Sequence, residues 1–328
     1  MDLKFDELPN PRRVWVGMPG SHEEGIGRLV LLTEENVREA ASEEICLGRR
    51  VGLNWELTKM EQPSFGRKEC EHSIVSILDG ACFDDVYHFN PQQSSQWDGL
   101  RHFGQPSISK SPFCSGSQLE GRRDRVFYGG TTEDEILDRS NSRIGIHHWA
   151  REGITGRGVL IDYASWADKK HIKYSAFSQH SIKLSDVLAI ASENNVVFKK
   201  GDILLIRSGF TREWDKMSPD AKKAYAASLL PKHAGLEASM EVLRWIWDAG
   251  FAAVAGDAVS FEVFPPLGQF TLHEYLIAGW GMPIGEMFDL ERLAEVCKEL
   301  GRSTFFFTSM PLNMPGGVSS PPNAQAIF

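Results

Sequence analysis

The chain has 328 residues, 42% apolar and 24% charged, with 30 glycines and 16 prolines, an ordinary globular composition with room for a sizeable core. Its formal charge of −9 argues against a nucleic-acid binder, because the one basic run, Arg122, Arg123 and Arg125, is diluted by Glu120 and Asp124. Five scattered cysteines without CxxC spacing argue against a disulfide framework or structural zinc site, and no apolar run approaches the ~20 residues of a membrane span.

The charged start MDLKFDELPNPRR is no secretory signal, so a reduced, soluble, cytoplasmic protein is expected. Residues 1–32 hold Pro and Gly with little periodicity and read as a segment wrapping the surface. Thr33 can cap a helix through EENVREAASEEICL that Gly48 stops, so residues 1–50 form a wrapping segment and helix. Val51, Leu53, Trp55 and Leu57 alternate with Gly52, Asn54 and Glu56, the period of a half-buried strand. A short apolar run from Ile74 to Leu78 follows. Residues 104–142, rich in Gly, Ser, Pro and charge, read as a long loop or lid.

From Gly158 onward strands and helices alternate. VLIDY, DILLIRSGF (202–210) and FAAVAGD read as buried strands, and STFFFTSMPL as the last one. Between them lie a helix through DVLAIASENN capped by Ser185, and one with Leu236, Met240, Leu243 and Trp247 at helical spacing, ended by Gly250. Asp289 can cap LERLAEVCKEL, with Gly301 as its stop. The alternation predicts an α/β fold with a partly parallel, mixed sheet in a single domain spanning 1–328.

Walker A, GxGxxG and GxSxG patterns are absent. The stretch FNPQQSSQWDGLRHFGQ (89–105) instead gathers Gln92, Gln96, Asp98 and His102, four potentially ligating side chains that are costly to bury without a role. Carboxylate, imidazole and amide oxygen can all ligate a divalent cation, Asp98 best and His102 next, and the amides suit a hard ion. A hydrogen-bonded structural loop is the alternative. Among distant partners, His273 in QFTLHEYL, followed by Glu286, stands out. The pair His147–His148 reads as helix surface or core, and His171 and His180 as solvated. Asp257, Ser260 and Glu262 in AGDAVSFE read either as a turn or as a site at a strand's C-terminal end. Trp97, Phe103 and Phe113 flank the cluster, and Trp149 and Trp166 the GITGRG strand, as either core or an aromatic pocket.

The ordered set SSQWDGLRHFG, GITGRGVLIDY, GDILLIRSGF, AGDAVSFE, LHEYL…GMPIGE and PLNMPGGVSSPPNAQAIF resembles the cyclase family, which includes bacterial kynurenine formamidase and isatin hydrolase, most closely its fungal branch. The resemblance implies a swivelling β/β/α fold and a homodimer or higher oligomer. The family signature HxGTHxDxPxH falls on Gln92, Ser94-Ser95, Gln96, Asp98, Leu100 and His102, so glutamines stand where two metal-binding histidines are expected. The family's distal histidine and glutamate resemble His273 and Glu286, one residue further apart than usual around Trp280.

What this implies is a set of alternatives. Asp98, His102, His273 and Glu286, with Gln92 and Gln96, would hold one divalent metal (Mn, Zn or Mg), or none given the missing imidazoles. His102, Asp98 and Glu286 would be catalytic, with His102 as proton shuttle. Gln92, Gln96, Trp97 and Phe103 would contact a small, aromatic or polyketide-like substrate. The leading expectation is a metal-dependent hydrolase of a cyclic amide, lactone or N-acyl arylamine. A metal-independent cyclase or dehydratase of secondary metabolism is the alternative, favoured by the neutral glutamines, and a non-catalytic binding protein is the third.

Overall fold

The computed structural model describes residues 3–107 and 125–328. Phe113, Cys114 and the basic run before Arg125 lie outside them. The strands of the main sheet and of the one long hairpin are β1 (Arg50–Gly52), β2 (Glu71–Ile77), β3 (Cys82–His88), β4 (Gln96–Asp98), β5 (Ile154–Asp162), β6 (Ile203–Arg207), β7 (Ala253–Gly256), β8 (Ile284–Glu286), β9 (Thr304–Ser309), β10 (Ser319–Ser320) and β11 (Ala324–Ile327). Nine of them form one sheet in the order β1-β11-β9-β5-β6-β7-β8-β4-β10. The central four, β5 to β8, are mutually parallel, and each strand outside them is antiparallel to its neighbour. This mixed α/β sheet agrees with the sequence reading.

The central strands are apolar because both faces are covered. Leu160, Leu205 and Ala255 pack with α5 (Glu291–Leu300) and the rings of Phe288, Phe305 and Phe307. Ile161, Leu204, Ile206 and Val254 turn to the other face and meet α2 (Leu184–Glu193), α3 (Met240–Ala249) and α4 (Leu272–Trp280). The expected stops at Gly250 and Gly301 are left-handed caps at φ +76° and +62°.

Several boundaries differ from expectation. Thr33 does cap α1, but the helix runs only Glu34–Glu44, where the buried Glu44 carboxylate accepts from Arg302 and from Thr304 Oγ. Val51, Leu53 and Trp55 are buried in alternation, yet only Arg50–Gly52 is strand, because the Trp55 N–H donates to Ser95 Oγ instead (2.6 Å). The GITGRG segment is part of β5, which starts at Ile154. α2 begins at Leu184, so Ser185 lies inside it. β9 is followed by two further strands, and β11 lies between β1 and β9. The Ile74–Leu78 run belongs to the β2–β3 hairpin, which stands out from the body with Ile74 and Phe83 about two-thirds exposed (67% and 64%).

The N-terminal segment does more than wrap: Ile26, Leu29 and Leu31 enter the core, and the buried Arg28 donates through Nε to Phe251 O (2.7 Å) over the Trp247 ring. Within 104–142, Gln105–Pro106 pairs with Arg125–Val126, and Tyr128 is fully buried. That part is packed structure rather than open loop. Among the described residues no helix is long and apolar enough to cross a membrane, and Cys46, Cys70, Cys82 and Cys297 are free thiols.

Candidate functional site

The 89–105 stretch is laid out by local chemistry. Asn90 Oδ1 accepts from the Gln92 N–H (2.9 Å), with Pro91 opening the turn Pro91–Gln93. Ser95 Oγ accepts from Trp55 N and donates to Met287 O (2.6 Å each), pinning the start of β4 beside the end of β8. Gly99 lets the chain pass Val318 O, which a Cβ would meet at 2.5 Å. In β4 the side chains alternate, so Gln96 and Asp98 share one face and Trp97 takes the other.

That alternation corrects one expectation. Trp97 is fully buried in the core, its Nε1 donating to Ser309 Oγ (2.9 Å) and its ring edge-on to Phe288 and Phe307. It is not a substrate-facing residue. Phe103 lies beside the cluster instead: its ring centroid is 5.2 Å from that of His273 and 6.3 Å from that of His102.

The sheet register brings the distant residues in. Gln96 pairs with Glu286 across β4 and β8. α4 carries His273 in its first turn, and the segment after β7 carries Glu262. Glu286 ends β8 and Glu262 follows β7, at the C-terminal side of the parallel strands where α/β sheets form their clefts, with Gln96 and Asp98 on the neighbouring β4. Gln96 Nε2 donates to Glu286 Oε2 (2.8 Å) and Asp98 Oδ1 (3.2 Å). Gln92 Nε2 donates to Asp98 Oδ1 (2.8 Å) and to His102 Nδ1 (2.8 Å). These neighbours fix both amides, since only an NH₂ can face two acceptors. They fix the imidazole as well: in the neutral ring Nδ1 is the acceptor and His102 carries its proton on Nε2.

His273 Nδ1 lies 2.8 Å from both Glu262 oxygens, and its Nε2 faces Glu286 Oε1 (3.2 Å) and Asp98 Oδ2 (3.7 Å). His102 Nε2 lies 3.5 Å from Asp98 Oδ2. Asp98, Gln96, Glu262 and Glu286 are buried, whereas the His102 side chain keeps a fifth of its surface exposed (21%). Burial opposes ionisation of Asp98, but the His102 and His273 imidazoles and the Arg67 guanidinium hold its carboxyl below the ordinary range. Burial, then the Asp98 charge, raise Glu286. Burial opposes the His273 imidazolium, yet Glu262, Asp98 and Glu286 carry it well above its usual value. Desolvation lowers His102 to about 4, against the pull of Asp98.

Three buried oxygens here, Gln96 Oε1, Asp98 Oδ2 and Glu286 Oε1, have no hydrogen-bond partner. Asp98, His102 and His273 offer ligand atoms within 4.8 Å of one another. Oxygen-rich donors around one imidazole fit a hard or borderline divalent ion, and a carboxylate behind the histidine is the usual support for such a ligand.

Other candidates fall elsewhere. Asp257 is buried and accepts from Ser208 N, Ser208 Oγ, Gly209 N and Phe210 N (2.7–3.0 Å), tying two strand ends together. His147 and His148 pack against each other in the helix His147–Glu152. His180 is not solvated as expected but bonds Tyr163 Oη (2.6 Å) and stacks on Tyr174.

Of the AGDAVSFE residues, read as a turn or a strand-end site, Glu262 is the one that the structure sets against His273. Sequence reading missed Arg67, whose Nη1 donates to Gln92 O (2.7 Å), and a relay behind the site. There Tyr225 Oη lies 3.2 Å from His233 Nδ1, His233 Nε2 lies 2.6 Å from Ser260 Oγ, and Ser260 Oγ donates to Glu262 O (2.7 Å). Burial lowers His233 to about 3 from its ordinary 6.5. The unfolded chain therefore takes up this proton first, and His233's contribution to stability is full above pH 6.5 and lost as pH falls toward 3. At pH 5 the loss is about 2 kcal/mol. Denaturant unfolding at pH 7 and pH 5 should show a difference smaller by about that amount in His233→Gln than in the wild type.

The family comparison bears on the same residues. The model of the Cyclase family matches residues 30–263, more than half of the chain, taking in Gln92 to His102 and Glu262. A crystal structure described as a novel cyclase superposes with a TM-score of 0.78 at 24% identity, covering 94% of this chain and 97% of that one. Isatin hydrolase A from Ralstonia solanacearum gives 0.58 at 13% identity, with 85% and 92% covered. An isatin hydrolase bound to the product analogue thioisatinate gives 0.55 at 12% identity, with 89% and 95% covered. These likenesses establish a common fold. Among curated proteins no significant match was found. By the family match and the shared fold, the chain belongs to the cyclase family.

Proposed function

We propose that this protein is a metal-assisted hydrolase of a small cyclic amide, lactone or N-acyl arylamine, acting at the Asp98 cluster. The observation that carries the reading is the pair of buried oxygens without a hydrogen bond, Asp98 Oδ2 and Glu286 Oε1, that face His273 Nε2. Unpaired buried acceptors are costly, and a cation offsets that cost. Similarity to structures described as isatin hydrolases supports a hydrolytic reaction class.

Asp98 and His273 would hold the ion, while Gln96 keeps its amide on Asp98 and Glu286. When bound, a divalent ion supplies Lewis-acid polarisation of the carbonyl and a more acidic water. Glu262 keeps the His273 ring oriented through Nδ1. Glu286, held at Oε2 by Gln96, takes the water proton at Oε1 as the oxygen–carbon bond forms. It returns that proton to the leaving nitrogen or oxygen as the acyl bond breaks. His102, first expected to be the shuttle, is better placed as a donor: its Nε2–H can bond the oxygen where negative charge develops. Phe103 offers an apolar wall for an aromatic ring.

A second reading rests on the two amides. Gln92 and Gln96 already satisfy Asp98 Oδ1 and Glu286 Oε2 without an ion, as a metal-independent cyclase or dehydratase needs. Turnover in ¹⁸O-water separates the two. A hydrolase of isatin or a related cyclic amide or lactone places one ¹⁸O in each product molecule and stops in chelator. Turnover without label and insensitive to chelator would overturn the hydrolase reading.

A further inference from the structure

The segment Ser64–Arg67 approaches the cluster from a side that neither the family signature nor the proposed chemistry uses. Phe65 and Gly66 both have left-handed backbone (φ +61° and +66°), an unfavourable conformation for a phenylalanine in so short a turn. The turn delivers Arg67 to the site by two routes. Its Nη1 donates to Gln92 O, on the residue whose side chain bonds both Asp98 and His102. Its guanidinium lies 5.4 Å over the Phe65 ring, which is edge-on to Phe264 (5.7 Å), and Phe264 stacks on the His233 ring of the relay to Glu262.

Among the described residues Arg67 has no carboxylate within ion-pairing distance, and its Nε and Nη2 bond no protein group. Some other guanidiniums among the described residues are paired with carboxylates. Arg207, for example, grips Asp162 and Glu291 together. The side chain is half-buried, and its charge is felt at Asp98, His102, Tyr225 and Glu286. A planar fork with unused donors, lying over the Phe65 ring and tied to Gln92 beside the cluster, suits a flat carboxylate.

We infer that Arg67 anchors the substrate by a carboxylate group, so that the site takes an aromatic acid rather than a neutral arene. The ring lies against Phe65 and Phe264, and the carboxylate accepts from Nε and Nη2. The assignment takes from the proposed function only that substrate enters at the Asp98 cluster; it needs neither a metal nor hydrolysis.

Calorimetric titration of the purified protein with benzoate and its neutral isostere benzamide tests it. The wild type should bind benzoate at least about tenfold more tightly than benzamide, a preference that shrinks as salt is raised. Arg67→Gln should erase the preference by weakening benzoate alone. Arg67→Lys, which keeps the charge but not the fork, should retain only part of it. Equal binding of the two probes by the wild type, absence of benzoate binding, or an undiminished preference in Arg67→Gln would each overturn the inference. Because binding is read rather than turnover, a protein that holds benzoate through Arg67 yet hydrolyses nothing would refute the hydrolase alone.

Discussion

Asp98→Asn should lower kcat/KM by about a thousandfold or more while leaving the chain folded. The substitution keeps volume, and an Asn Oδ1 still accepts from the Gln92 and Gln96 amides that now bond Asp98 Oδ1. What disappears is the negative charge at Oδ2, the partnerless oxygen facing the His102 and His273 imidazoles. An amide nitrogen there cannot ligate a cation, so the metal should leave together with the activity. Glu286→Gln separates the two effects. Its carbonyl still fills the place of the carboxylate, but it cannot carry a proton, so metal content should persist while kcat falls. Steady-state kinetics beside circular dichroism check both variants. Near-wild-type turnover in Asp98→Asn would remove Asp98 from the reaction.

The second large effect is on stability. Trp97→Ala should cost about 3–5 kcal/mol, because it empties a fully closed site between Phe288 and Phe307 and removes a bond to Ser309 Oγ. The denaturant midpoint should fall at unchanged slope. Trp97→Phe, which keeps an aromatic ring in the same packing, should lose much less. If Trp97 instead faced substrate, the alanine variant would keep its stability and change KM. Phe103 gives the contrast: it is half-buried against the His273 ring, so Phe103→Leu should alter KM more than stability.

Trp97 also marks where sequence legibility ends. The cluster could be found because Gln92, Gln96, Asp98 and His102 lie within one short stretch and follow a family spacing. The apolar runs that became β5 to β8 could be found because strands covered on both faces need continuous hydrophobicity. Which way each residue of QWD points depended on its being a strand, and three residues are too few for periodicity to reveal one. The β4–β8 register that sets Gln96 against Glu286 joins residues far apart in sequence, as does the Glu262–His273 pair. Such pairings follow from sheet topology, not from local pattern. Arg67 carried no signal at all: in PSFGRKE it reads as an ordinary polar turn, and only the fold turns it toward Gln92. The apolar run Ile74–Leu78 lies in the β2–β3 hairpin, which the structure leaves exposed.

Elemental analysis of the purified wild-type chain beside Asp98→Asn tests the central claim most directly. About one divalent ion per chain in the wild type, and far less in the variant, is the expected result. A metal-free wild type that stays active in chelator would contradict it, leaving Gln92 and Gln96 as the satisfied frame of a site that never needed an ion.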